Sequence, residues 1–206
     1  MNTLSLFLSL AGCAACALLP YRQTSSLSER HKTLAFLLLL SACFIAAGSI
    51  AEWGLVAQTT DAETAKRLFS NLKHFIAIPL IGSVLLAASF NRFWTTAIWG
   101  RWVLALFALF ELMRRTDLGQ NYALWLGAAV MSALLISFAR NNAHNIRIPG
   151  LAAAILIGIS TSILDSTSLA PALQNHFASE VILSIGLALV GLASARLIAQ
   201  LQKNEL

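Results

Sequence analysis

The sequence contains little charge. Only 11% of its 206 residues are charged and 58% are hydrophobic, whereas a soluble domain carries about 25% charged residues. A water-soluble core of this length cannot bury so much apolar surface. The composition therefore predicts an integral membrane protein that forms one domain over residues 1–206. Its basic residues are scattered in short loops and form no basic tract, so we expect no nucleic-acid partner.

Several motifs are absent. There is no Gly-rich phosphate loop, which excludes a soluble nucleotide-dependent enzyme. The last apolar segment has no interior lysine to form a Schiff base, which excludes a retinal protein. The cysteines number three and all lie in apolar runs, so we expect no disulfide framework and interpret them as buried small hydrophobic residues. They are Cys13, Cys16 and Cys43.

The stretch "LAGC" at residues 10–13 is similar to the lipidation box of bacterial lipoproteins, with Cys13 as the acceptor. No Lys or Arg precedes it, however, so the basic region of a signal peptide is missing. The apolar run also continues to Leu19. We therefore interpret this region as a retained first transmembrane helix.

Long apolar runs dominate the rest of the chain. A helix needs about 20 apolar residues to cross a bilayer, and the runs are continuous rather than alternating, which argues against a β-barrel. The sequence thus predicts an all-α, polytopic helix bundle with seven transmembrane helices. The segment 61–71 is predicted to be a short amphipathic interfacial helix. Pro149 is predicted to lie at the start of a helix. The predicted spans are 3–20, 33–57, 74–90, 95–113, 121–139, 149–166 and 177–199.

The distribution of Lys and Arg predicts the orientation. With seven spans, nine of the 14 basic residues lie on the side of the C-terminus, and cytoplasmic loops carry the excess of positive charge. We therefore expect the N-terminus outside and the C-terminus in the cytoplasm. Short loops and the absence of an N-x-[ST] acceptor site favour a bacterial inner membrane.

Polar and ionisable residues gather at the predicted non-cytoplasmic ends of the helices. Ionisable residues inside a membrane indicate a functional site by default, because they normally face a partner or a watery cavity. The spacing of four puts His176 and Glu180 on one face of the last helix. The other members of this group are Ser49, Glu52, Lys73, His74, Glu111, Arg114, Arg115, Asn121, Tyr122, Thr161, Ser162, Asp165, Asn175 and Ser184.

One function for such a group is to bind a metal. Imidazoles and carboxylates suit a zinc-like ion that keeps one position open for water, and we predict His74, His176 and Glu180 as its ligands. The metal would lower the pKa of its bound water, and Asp165 or Glu52 would act as the general base. Alternatively, the group is a structural network, with Glu52 paired to Lys73 or His74. For Glu111 we expect a pair with Arg114 or Arg115.

Two short motifs resemble a known family. Ser70-Asn-Leu-Lys-His74 fits a Ser-x3-His pattern, and His176-x3-Glu180 fits a His-x3-His pattern with Glu in place of the second His. With seven spans, these motifs resemble the alkaline ceramidase and adiponectin-receptor-like membrane hydrolases. The resemblance implies a zinc cofactor and cleavage of a lipid amide. Here the first motif begins the third span rather than the second, and Asp165 would replace an Asp expected elsewhere.

Two functional hypotheses follow from these patterns. The first is a metal-dependent membrane hydrolase whose substrate is a lipid amide or ester taken from the bilayer. The second is a non-enzymatic membrane protein, which would be an accessory subunit, small transporter or sensor. In that case the polar cluster would bind an ion, a proton or a ligand.

Overall fold

The computed structural model describes residues 3–23, 29–55, 59–115, 119–164 and 175–203, and all its secondary-structure elements are helical. Two of them, here called π1 and π2, have the wider turns of a π-helix. The elements in chain order are α1 (Thr3–Tyr21), α2 (Glu29–Gly54), α3 (Thr60–Asn71), π1 (Leu72–Ala77), α4 (Ile78–Ser89), α5 (Thr96–Arg114), α6 (Gly119–Ala139), α7 (His144–Ile159), π2 (Ser160–Leu164) and α8 (His176–Lys203).

Among the described residues, six helices are long and apolar enough to cross a membrane. This is the architecture of a membrane-embedded, multi-pass protein. The remaining predicted span corresponds to α6, where the apolar stretch Leu124–Ala139 is shorter. The seven-span count, the single domain and the orientation of the termini stay predictions.

The third span differs from its predicted limits. Helices α3, π1 and α4 follow one another without a break over Thr60–Ser89, so the amphipathic segment continues directly into the span. The side chain of Thr59 caps α3 by accepting a hydrogen bond from the amide of Ala62 at 3.3 Å. No residue of α3 is buried. An amphipathic helix that buries nothing within the protein is typical of a membrane interface.

Helices α1 and α8 run parallel and pack with their backbones in contact. A Cβ on Gly12 would lie 2.5 Å from the carbonyl oxygen of Ser184, and one on Gly191 would lie 2.4 Å from that of Ala15. Only glycine permits such an approach. Cys13 and Cys16 are buried beside this contact, as predicted. α1 is thus an integral part of the bundle.

A sharp turn joins α4 to α5 at "FNRF", residues 90–93. Asn91 has a φ of 53°, a left-handed conformation that asparagine tolerates better than most residues. The amide of Arg92 donates to the carbonyl of Ala87 at 2.9 Å, and that of Asn91 to Ala88 at 3.0 Å. These two bonds satisfy the last carbonyls of α4 and end the helix sharply.

Pro149 does not start a helix, which corrects the prediction. It lies inside α7, which begins five residues earlier at His144. Because proline has no amide hydrogen, the carbonyl of Asn145 loses its helical donor. Arg196 of α8 donates to that carbonyl at 2.6 Å. A neighbouring helix thus replaces the missing hydrogen bond, as is common in membrane bundles.

One other expectation fails for a reason of packing. Cys43 is exposed rather than buried, because the face of α2 that carries it is turned away from the other helices. Tryptophan rings meet at the start of α5, where Trp99 is buried and its ring centroid lies 4.9 Å from that of Trp94.

Candidate functional site

A buried ion pair joins the third span to the last helix. The ammonium of Lys73 on π1 donates a hydrogen bond to Oε1 of Glu180 on α8. The Lys73 side chain is fully buried and that of Glu180 is 9% exposed. Burying a charge in an apolar interior is costly unless the charge is paired. The opposite charge of Lys73 therefore explains how Glu180 is accommodated inside the apolar run.

Gly48 on α2 lets Lys73 reach this position. A Cβ on Gly48 would lie 3.0 Å from Cβ and 3.2 Å from Cδ of Lys73. The lysine side chain therefore crosses α2 at a position where that helix has no side chain. Lys73 itself lies on the π-helical segment π1. Such π-helical turns within helices are frequent at functional sites.

Two serines extend the hydrogen bonding of Glu180. The Ser49 hydroxyl on α2 donates to Oε2 of Glu180 at 3.5 Å, and the Oγ atoms of Ser49 and Ser9 are 2.7 Å apart. Because Ser49 uses its proton toward Glu180, Ser9 is the donor to Ser49. Both serines are buried. The chain from Ser9 to Glu180 brings α1 into the same network as α2, π1 and α8.

Glu52 is the second carboxylate of the cluster. Its Oε2 lies 3.9 Å from Nζ of Lys73, and its side chain is 22% exposed. This confirms the predicted pairing of Glu52 with Lys73. When all three groups are ionised, one ammonium faces two carboxylates and the cluster carries a net charge of −1. We call Lys73, Glu180 and Glu52 the charge cluster.

The first turn of α8 is fixed by its own set of contacts. Asn175 caps the helix by accepting a hydrogen bond from the amide of Ala178 at 3.1 Å. Next to Glu180, the hydroxyl of Ser160 on π2 donates to the Ser179 carbonyl at 2.9 Å, and the two serine Oγ atoms are 3.0 Å apart. These bonds hold the position from which Glu180 meets Lys73.

The three predicted metal ligands differ in how deeply they are buried. Glu180 is buried, His74 is half-buried on π1, and His176 is exposed one turn before Glu180. Within the part of the chain that the structure describes, no group of three His, Cys, Asp or Glu side chains could hold a metal ion. Asp165, one of the two predicted general bases, lies outside the described residues. The metal site and its catalytic base stay predictions.

The predicted pairing of Glu111 is also confirmed. Nε and a terminal nitrogen of Arg115 both lie 3.1 Å from Oε1 of Glu111, one turn earlier on α5. This pair belongs to the surface of the bundle, and neither residue joins the charge cluster.

The sequence patterns indicate Glu180, Glu52, Ser49 and Lys73, but they pair Lys73 with Glu52 and not with Glu180. They give no place to Ser9 or Gly48. The available signal was a lysine directly before the predicted start of an apolar span at residue 74. Gly48 and Ser9 gave none, because small residues are common throughout membrane helices.

Comparison of the chain with family models, with curated proteins and with solved structures found no match. The resemblance to the ceramidase-like hydrolases stays a prediction based on the two short motifs.

Proposed function

We propose that this chain is a non-enzymatic, multi-pass membrane protein, a small transporter or sensor, in which the charge cluster takes up and releases a proton. The observation that carries the proposal is the sharing of one fully buried lysine between carboxylates from two different helices. Ionisable residues within membrane helices are typical of proton relays.

The charge balance supports a proton as the ligand. The cluster has one carboxylate more than it has ammonium groups, and a net charge is costly in an apolar interior. One proton bound by either carboxylate makes the cluster neutral. Glu52 is the partly exposed member and offers the route by which that proton enters.

The geometry also gives the proton a structural consequence. In the structure, Lys73 bonds to Glu180 and lies within ion-pair distance of Glu52. Protonating Glu180 would remove its charge and shift the lysine toward Glu52. Because these residues belong to π1, α8 and α2, the exchange would alter contacts between three helices. A lysine that can pair with either of two carboxylates provides the two alternative states that a proton-driven conformational change requires.

Other ionisable groups lie around the cluster. Cys13 faces it from α1, His74 follows Lys73 on π1, and His176 precedes Glu180 on α8. Interacting groups of this kind release protons in steps that belong to the set rather than to one residue. An experiment must therefore identify carboxyl groups individually.

Infrared difference spectroscopy of the protein in lipid, recorded against pH, makes this distinction. We expect a band of a protonated carboxyl group that appears on acidification and is lost in Glu180→Gln or Glu52→Gln. Glu63→Gln is the matched control, because Glu63 is an exposed carboxylate on α3. If no such band appears at any pH at which the protein remains folded, the ion pair is purely structural and the proposal is wrong.

The second candidate is the predicted zinc-dependent hydrolase of lipid amides or esters. In its favour, His176 stands exposed one turn before the buried Glu180, at an end of the bundle where a substrate could enter. Elemental mass spectrometry of the purified protein tests this candidate beside His176→Ala and Glu180→Ala. Near-stoichiometric zinc that both variants lose would support it, and wild-type protein without metal after zinc is supplied would exclude it. For either function, we propose a bacterial inner membrane as the location.

A further inference from the structure

A cavity of about 670 Å³ opens on the side of the bundle between α2, α3, π1 and α5. Ligand sites typically measure about 300–1,000 Å³. Its walls are almost entirely apolar, with Phe44 from α2, Leu72 and Ile76 from π1, and Phe107 from α5. The polar lining residues are Asn71 and Glu111. Leu72 and Lys73 are adjacent in sequence but point to different sides of π1, so the cavity is separate from the charge cluster.

The cavity exists because α5 stands away from the other helices. Most of its side chains are exposed, among them Leu104, Phe107 and Leu112, and its main contacts are with π1 and α6. Phe75 of π1 forms the principal link, since its ring stacks on Phe110 of α5 at 4.7 Å and on Tyr122 of α6 at 5.7 Å. Between this stack and α2 the bundle is left open.

The lining residues indicate what fills the opening. A second transmembrane helix would pack best against small residues that permit close approach of backbones. This cavity is instead lined by large side chains, including Phe44, Phe69 and Phe107. A flexible hydrocarbon chain can follow such an irregular apolar surface, and in a membrane-spanning region acyl chains are the surrounding solvent.

One end of the cavity carries charge. Glu111 lies in its lining and fixes the guanidinium of Arg115 through two contacts of 3.1 Å. The Arg115 side chain is 74% exposed and therefore accessible to a headgroup. Arginine matches the geometry of phosphate oxygens well, and the amphipathic α3 beside it is typical of a helix at the membrane interface. Apolar walls with a cation at the rim complement a phospholipid.

We propose that this cavity is a binding site for one phospholipid of the bilayer, with an acyl chain between α2, π1 and α5 and the phosphate at Arg115. The site does not depend on the function proposed for the charge cluster. It involves no covalent step, and the lipid acts as a bound component of the bundle.

The test uses the full-length protein in nanodiscs that contain a trace of phospholipid with a photoreactive diazirine in its acyl chain. Peptide mass spectrometry then maps the labelled residues. We expect labelling within 68–76 and 107–111. Ala108→Trp fills the cavity, because Ala108 lines it, and should lower labelling about tenfold, the factor for about 1.4 kcal/mol of binding free energy. Ala105→Trp is the matched control, an exposed alanine of α5 outside the lining.

A second variant tests the headgroup contact without changing the cavity. Arg115→Gln should lower retention of the phospholipid severalfold in native mass spectrometry, but should leave retention of a diacylglycerol with the same chains unchanged. Arg101→Gln, an exposed arginine near the other end of α5, should have no effect. Equal labelling in Ala108→Trp and Ala105→Trp would overturn the proposal. Cross-linking of two protein copies through these residues would also overturn it and identify a second chain as the occupant.

Discussion

Helices α8 and α5 are both apolar, but they relate to the bundle in opposite ways. In the most apolar stretch of α8, 61% of the residues are buried within the protein, whereas in that of α5 only 11% are buried. α8 packs against α1, α7 and π2, and small residues line its contacts, as at Gly186 and Gly191. α5 is rich in aromatic and leucine side chains that face outward. In a membrane, apolarity places a helix in the bilayer, whereas small residues determine which helices pack closely.

The largest effect is expected from a substitution that removes the charge of Lys73, on which the packing of α8 depends. Lys73→Leu leaves Glu180 buried without its counter-ion, and we expect a loss of about 3–5 kcal/mol in the free energy of unfolding. The double variant Lys73→Leu/Glu180→Leu should recover most of the loss, because neither charge then remains to be buried. Reversible unfolding in mixed detergent micelles measures both.

Lys203→Leu is the control for this substitution, since Lys203 is exposed at the end of α8, and it should leave stability unchanged. If Lys73→Leu were equally harmless, the pair would not contribute to the packing of α8.

A second prediction compares the same truncation on both helices. Leu187 of α8 is 1% exposed and Leu104 of α5 is 68% exposed. Leu187→Ala should cost about 2–4 kcal/mol, because it removes packing contacts and leaves a cavity. Leu104→Ala should change stability by less than about 0.5 kcal/mol, since lipid fills the vacated space. Similar losses at both positions would mean that α5 is covered in the membrane by another protein surface.

The smallest expected effect concerns a single methyl group. A Cβ on Gly191 would lie 2.4 Å from the backbone of α1, whereas one on Gly100 of α5 meets nothing within 4 Å. Gly191→Ala should therefore destabilise the protein by about 1–3 kcal/mol through overpacking. Gly100→Ala should stabilise it by about 0.5–1 kcal/mol, because alanine is the better helix former. Opposite signs in thermal unfolding would confirm the contrast, and the same sign would contradict it.

Much of the fold was predictable because it depends on local composition. The limits of α1, α5 and α8 agree with the predicted spans to within a few residues, since continuous apolar runs bounded by breakers specify membrane helices directly. Pro149 was misplaced because its tolerance inside α7 depends on Arg196, a residue about 50 positions away. The exposure of Cys43 was missed for a similar reason. An apolar span gives no indication of which of its faces meets protein and which meets lipid.

For the site, the sequence alone determined that Glu180, Glu52 and His176 are unusual, because ionisable groups beside a membrane span are costly wherever they point. Only the tertiary structure decided that Glu180 meets Lys73, that Ser9 and Ser49 complete its hydrogen bonds, and that Gly48 provides the passage. The cost of burying a charge is a property of the residue and its segment. The choice of its partner depends on how distant helices pack, and sequence spacing does not encode that information.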